Sequence, residues 1–343
     1  MEAAYTPLVS SRLALAAALG LVGLALWWLP IEKPLQFLRW QKNPQQAEAI
    51  ADQFLQSRGV KPAEWRRGTD VQHLFESGEA EYVRRHGGVN QVNQLWSSQL
   101  DLATASWRVR YFRPLQKEEH WVYVAPDGRV ARYDHLLEEK APGANLTPAE
   151  AQQRAADYLA QTYRVEVSGW KLAESKLEKR DARTDHRLVW EEPKAVVADA
   201  YIRAEVEVRG DEVGSYRPFL KVPEEWLREL TKPRIQPFLT FAGISLLVVW
   251  VLILGARRLA QHNFRWRLYL GLAVLLAGVN LLTHLNGLRS FGHDYSTSEP
   301  WKSYVFGEVS SIAIATMGII FLTVLLALAA DLFYAARAVP AGL

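Results

Sequence analysis

Eight histidines, at positions 73, 86, 120, 135, 186, 262, 284 and 293, are the residues best suited to ligate a metal or relay a proton. No two have the His-Glu-x-x-His spacing that sets two ligands on one helical face. His120 and His135 flank a predicted hairpin, with Glu118, Glu119 and Asp134 close by in sequence. A metal or anion site and a set of solvated strand-end residues both fit that arrangement. His284 stands in an apolar block, on one helical face with Asn280 and beside Thr283 and Asn286. Polar residues at membrane depth mark function or serve as interhelical glue worth about 1 kcal/mol each. Arg108, Arg110, Arg113, Arg129 and Arg132 recur along predicted neighbouring strands, either to attract an acidic ligand or as the solvated face of a sheet. Cysteine is absent, which excludes disulfides, thiol nucleophiles and iron–sulfur clusters. No Gly-x-Ser-x-Gly elbow or phosphate-cradling glycine pattern occurs. No catalytic, cofactor-binding or metal-ligating residue is assigned, and the cluster Asn280, Thr283, His284 and Asn286 is the one candidate site retained.

The elements that position these residues follow from where the apolar residues sit. The 343 residues are 49% hydrophobic with a mean hydropathy of −0.10, so apolar blocks offset polar ones. Leu13–Leu29, Phe238–Ala256 and Val309–Ala330 carry no charge, and Leu268–Leu288 carries only Asn280, Thr283, His284 and Asn286 among apolar residues. A helix crosses a bilayer core of about 30 Å with about 20 such residues, so four transmembrane helices are expected. The first block has no small-x-small cleavage site and reads as an uncleaved signal anchor. Arg257, Arg258, Arg265 and Arg267 form a short basic loop with no acid, which stays cytoplasmic. Both termini are then cytoplasmic, and residues 31–237 and the Arg289–Glu308 loop lie outside. A net charge of +3 is too balanced for a nucleic-acid partner that works by bulk charge.

The polar region repeats itself. Pro44–Arg58 and Thr147–Tyr163 both have helical periodicity, and Pro44, Ala47, Ala51 and Phe54-Leu55 align with Pro148, Ala151, Ala155 and Tyr158-Leu159. Thr147 and Glu150 make a capping box. After the first helix come runs at 107–114, 120–124 and 129–133, with a Pro126-Asp127-Gly128 turn. After the second come runs at 186–190, 201–208 and 213–220, with a turn at Gly210. Each unit is expected to be one helix and a three-stranded antiparallel meander.

This helix, strand and Pro-Asp-Gly-Arg-Val pattern resembles a PepSY-type module. The order of anchor, two modules, a Lys221-Val222-Pro223-Glu224-Glu225-Trp226 exit and further apolar helices is similar to the N-terminal half of long bacterial CPBP proteins, the CAAX-protease and bacteriocin-processing intramembrane metalloproteases. The resemblance implies a multi-pass α-helical membrane protein with four transmembrane helices and an extracytoplasmic α+β domain of two PepSY-like repeats. The expected divisions are 1–31 anchor, 32–143 first repeat, 144–223 second repeat and 224–237 pre-membrane segment. Transmembrane helices at 238–256, 268–288 and 309–330 and a tail at 331–343 complete them.

The family's Glu-Glu-x-x-x-Arg and histidine motifs are missing from the apolar blocks. Glu224-Glu225-Trp226-Leu227-Arg228 has one residue too few and precedes the second block. The chain is therefore expected to stop before an active site, with no cofactor of its own and zinc only if a CPBP catalytic core is attached. Expected partners are the lipid bilayer, protease core helices and a peptide or envelope-protein ligand of the tandem domain, at a bacterial inner membrane. Two functions follow: the non-catalytic substrate-binding or regulatory half of such a protease, or an envelope sensor or assembly factor with no enzymatic activity.

Overall fold

Two short sequence signals, each a cap followed by alanines one turn apart, organise the polar region. A computed structural model describes residues 10–27, 39–73, 78–97, 105–231, parts of 240–253, and 266–337. In α2 (Pro44–Ser57), Asn43 Oδ1 accepts from the Gln46 amide at 2.9 Å while Gln46 Oε1 accepts from the Asn43 amide at 3.1 Å. In α4 (Pro148–Tyr158), Thr147 and Glu150 exchange the same pair of bonds. These boxes satisfy backbone donors that a helix start leaves free. Ala47, Ala51 and Leu55 of one helix, and Ala151, Ala155 and Leu159 at the end of the other, are fully buried. Alanine at the contact lets a helix lie close on a sheet. The second helix continues through a π-helical turn, Leu159–Tyr163, as far as the sequence periodicity indicates.

Both helices lie on one sheet. Its strands are β1 (Arg66–His73), β2 (Ala105–Phe112), β3 (Glu119–Val124), β4 (Val130–Leu136), β5 (Lys171–Lys179), β6 (Thr184–Glu191), β7 (Tyr201–Arg209) and β8 (Glu212–Lys221). The order is β1-β2-β3-β4-β8-β7-β6-β5, antiparallel throughout. Each repeat contributes a four-stranded meander, and the halves join where Tyr133 of β4 pairs with Tyr216 of β8. Val122 of β3 pairs with Tyr133 as Val206 of β7 pairs with Tyr216. The two tyrosines are therefore equivalent positions of the repeats, facing each other across a local two-fold. One core gathers Val109, Tyr111, Val122, Val124 and Tyr133 under α2. Its counterpart gathers Leu188, Trp190, Ala204, Val206, Val208 and Tyr216 under α4.

The repeats differ in what is inserted. Between β1 and β2 lies α3 (Gly78–Ser97), broken at Gly88, whose φ of 78° favours glycine. Its Ala80, Tyr82, Val83, Val92 and Leu95 pack with Ile202, Leu220 and Val222, which belong to the other repeat. The short α5 (Glu224–Leu230) joins that cluster through Trp226 and Leu227, and Trp226 Nε1 donates to Gly78 O at 2.8 Å. The near-miss Glu-Glu-x-x-Arg segment is thus a packing element, with Glu224 paired to Lys221 and Arg228.

The apolar blocks correct the expected architecture. Among the described residues, two helices are long and apolar enough to cross a membrane, Arg267–Ser290 and Trp301–Ala329, rather than four. They include α6 (Trp266–Asn286) and α7 (Trp301–Arg337). The first block forms α1 (Ser10–Trp27), whose 18 residues give about 27 Å of helix against a core of about 30 Å. The second block, 238–256, lies largely outside the described residues. The four-helix membrane protein with two modular repeats is replaced by a mixed α/β chain built around one eight-stranded sheet. The repeats fuse because separate meanders would leave the β4 and β8 edges with unpaired backbone groups. The expected three-stranded meanders each gain an outer strand, β1 and β5.

The chain divides into two compact units. One comprises 34–233 together with 282–313, and the other holds 1–33, 234–281 and 314–343. The loop between α6 and α7 therefore belongs with the sheet. It begins with a 3-10 turn, Gly287–Ser290, and covers the face of β1–β3 opposite α2. Gly68 permits the close approach, since a Cβ there would lie 2.7 Å from the His293 amide nitrogen.

Candidate functional site

Register brings the two hairpin histidines together. His120 and His135 are direct cross-strand partners on β3 and β4, and their rings stack with centroids 4.1 Å apart. Both face α2, as do Val122 and Tyr133. Glu118, immediately before β3, sets Oε1 3.1 Å from His135 Nε2 and 4.0 Å from His120 Nε2. The other ring nitrogens point away to fixed partners. His135 Nδ1 meets Glu212 Oε2 at 3.0 Å, and His120 Nδ1 meets the Tyr133 hydroxyl at 2.9 Å. Trp65 packs edge-on against His120, and Arg113 lies over Trp65. His120 is 1% exposed, and its Nε2 makes no hydrogen bond.

Electrostatics keeps this group poised. Burial, aided by the neighbouring His135, pushes His120 down to about 3, so the ring is neutral with a lone pair on one nitrogen. Burial alone would raise Glu212, but hydrogen bonds from His135 and Arg58 hold it down at about 2. Arg58 reaches Glu212 Oε1 at 3.1 Å and the Tyr158 hydroxyl at 2.9 Å, so one guanidinium ties α2 to elements of the second repeat. Among the described residues, Glu118, His120 and His135 are the one group of three such side chains able to share a metal ion. Glu119 and Asp134, the other acids near the hairpin, point to the opposite face, where Glu119 pairs with Arg110 and Asp134 with Arg132.

That opposite face holds Arg108, Arg110 and Arg132 of the arginine stripe, whereas Arg113 lies on the α2 side over Trp65 and Arg129 at the hairpin turn; each member has an acidic partner. Arg108 pairs with Asp70, Arg113 with Glu64, Arg129 with Asp127 and Arg132 with Asp134. Arg110 differs by being 4% exposed. It grips Glu119 through two bonds of 2.9 and 2.6 Å. Its remaining nitrogen donates to the carbonyls of Gly292, His293 and Tyr295 at 3.3, 2.7 and 2.5 Å. Thr297 donates to Glu119, Arg289 pairs with Glu48, and Tyr295 packs at a tilt against Phe112. One buried ion pair thus fastens the α6–α7 loop to the sheet.

Over the second repeat the same face stays open. A cavity of about 330 Å3 is bordered by Lys176, Arg183, Arg187, Glu207 and Arg209. A shallower groove of about 470 Å3 crosses the seam between Trp121, Arg132, Glu205 and Arg217. Its charges are paired among themselves, Glu205 with both Arg187 and Arg217 and Glu207 with Arg209.

The polar residues in the apolar block are not gathered into a site. Asn280 donates to Thr316 of α7 at 3.3 Å, the glue role, while Thr283, His284 and Asn286 lie on exposed positions. Ala273 and Ala277, spaced for close helix contact, are buried. Sequence reasoning missed Glu212 and the burial of Arg110. The only sequence signal for either was charge in a strand, which does not distinguish them from solvated neighbours.

No protein-family model, no curated protein and no solved structure matches this chain.

Proposed function

We propose that this chain is a non-catalytic, substrate-binding or regulatory membrane component of the kind carried by long CPBP-type intramembrane proteases. It would sit in a bacterial cytoplasmic membrane with residues 31–237 and the 289–308 loop outside. The observation that carries the reading is the Arg110 clamp. The loop joining two apolar helices is held on the sheet by a buried guanidinium, so a ligand on the sheet would act on the segment that connects them. With those helices across a bilayer, the loop and the sheet it is fastened to would share one side, in keeping with an arginine-rich 257–267 segment on the other. The ligand side is the open face of the second repeat, whose cavity and paired charges suit an extended peptide of mixed charge. The β5 edge suits it less, because Lys171, Lys176 and Lys179 guard it against strand addition. No residue set for peptide hydrolysis is assigned to the chain, and the role is positioning or restraint.

The test is deletion of the gene with quantitative mapping of new membrane-protein N-termini. Loss or redistribution of a defined set of cleavages supports the reading, and Arg110→Met should reproduce it. An unchanged cleavage map overturns it, and loss of an envelope complex alongside that map would indicate a sensor or assembly factor instead.

A further inference from the structure

We propose that Glu118, His120 and His135 form a binding site for one divalent transition-metal ion, zinc first among them. The two Nε2 atoms and a Glu118 oxygen would be the ligands, with solvent in the open position. Two imidazoles and one carboxylate suit zinc, copper or nickel, and disfavour magnesium and calcium, which take oxygen donors.

Three features converge. First, the ligand atoms lie within 4.8 Å of one another. Ligands about 2.0–2.2 Å from a tetrahedral zinc ion stand about 3.3–3.6 Å apart, so the 3.1 Å between His135 Nε2 and Glu118 needs only a small adjustment. The 4.0 Å from His120 Nε2 must close by less than an ångström. Second, both histidines are oriented as metal-bound imidazoles are, with the far nitrogen fixed by an outer partner, Glu212 for His135 and Tyr133 for His120. With each Nδ1 donating, each Nε2 turns a lone pair toward the same carboxylate. Third, His120 Nε2 is buried with no hydrogen-bond partner, a cost of about 1–3 kcal/mol that a shared metal ion would remove.

The Glu118 side chain is 34% exposed, which gives an ion a route in and water a place on it. Arg58 and Arg113 stand nearby, but each is committed to an acid, Glu212 and Glu64. A bound ion would pin β3 to β4 beside β8, which carries Glu212.

The test uses the untagged full-length chain in detergent, stripped with chelator and titrated with Zn2+ alone. Co2+ serves as a coloured substitute whose visible absorption reports four-coordinate binding. The expected result is one Zn2+ per chain at micromolar affinity or tighter, with Mg2+ failing to compete. Glu118→Gln, at a partly exposed position outside the strand, should weaken binding at least about tenfold. It should leave the metal-free circular dichroism spectrum unchanged. Glu212→Gln should weaken it about tenfold by freeing the His135 ring, and His120→Gln should abolish the Co2+ band. A wild-type chain that takes up no Zn2+ at about 100 µM, corresponding to weaker than about −5.5 kcal/mol, overturns the site. So does binding that is equal in wild type, Glu118→Gln and His120→Gln.

Discussion

The two halves of the sheet share a capped helix, a pair of buried alanines and a tyrosine at the seam, yet they finish their opposite faces differently. In the first half a loop from between two apolar helices covers the sheet, and Arg110 and Glu119 are sealed beneath it. In the second half Arg187, Glu205 and Arg217 face an open groove. The helix-side cores are similar in kind, because every meander needs one face covered. The other face is free to diverge, and there one repeat has become an attachment and the other a surface. Arginine–carboxylate pairs serve both, with different energetic weight. Under a loop, an unpaired member is left desolvated, whereas in an open groove water and salt replace the partner.

The contrast can be broken most sharply at Arg110. Arg110→Met leaves three carbonyls without their donor and Glu119 without its cation, with only Trp121 and Thr297 still donating to it, and should cost about 3–5 kcal/mol. Residues 291–295 should then exchange amide hydrogens far faster. Arg187→Met, on the open half, should cost under about 1 kcal/mol. Comparable losses in thermal unfolding would show that the loop does not seal its face. The likeness of the helix sides is tested next by overpacking. Ala51→Leu and Ala155→Leu each insert a branched chain at a fully buried contact and should each cost about 1–3 kcal/mol. A large difference between them would mean that one helix is free to shift.

A smaller effect concerns acid. Burial alone would raise the Glu205 carboxyl, but hydrogen bonds from Arg187 and Arg217 outweigh it and hold the group below its ordinary 4.5. Folding thus favours the ionised form. The contribution is present above about 4.5 and is lost as pH falls through the lower folded value. Glu205→Gln should cost about 1 kcal/mol at pH 7, after screening by solvent, and the gap from wild type should narrow toward pH 3. A gap that widens in acid contradicts the pairing. Smallest of all, Asn43→Ala and Thr147→Ala should each remove about 0.5–1 kcal/mol, equally in the two repeats.

Much of this fold could be read in advance, and the failures have physical causes. Alanine spacing located α2 and α4, with the Thr147–Glu150 capping box marking the start of α4, and alternation located β2, β3, β4, β6, β7 and β8. β1 and β5 escaped because they are the outer strands. The segment Lys-Leu-Ala-Glu-Ser-Lys-Leu-Glu-Lys is exposed over most of its length and has little burial to impose a pattern. α3 escaped because Gly87-Gly88 cuts its period in the middle. Fusion of the repeats depends on an edge pairing that leaves no local trace. The sequence places His120 and His135 on either side of one hairpin, but their direct pairing follows from a register fixed by the whole ladder. Glu212 reaches His135 from 77 residues away. Arg110 looked like its neighbours in the stripe until a segment 182 residues further along the chain was laid over it.

The seam has a consequence for how the chain reaches this state. The β4–β8 ladder holds only the pairs Tyr133–Tyr216 and Asp134–Ser215, the latter separated by 81 residues. All six other ladders join consecutive strands, most of them across short loops, where closure costs little. Each meander can therefore condense with its own helix before its partner strand arrives, and the seam forms last. During synthesis, β4 is finished before β8 exists, and its edge must wait unpaired. That interval is when a second copy could pair in its place, and pulsed hydrogen exchange during refolding should find Tyr133 and Tyr216 among the last amides protected.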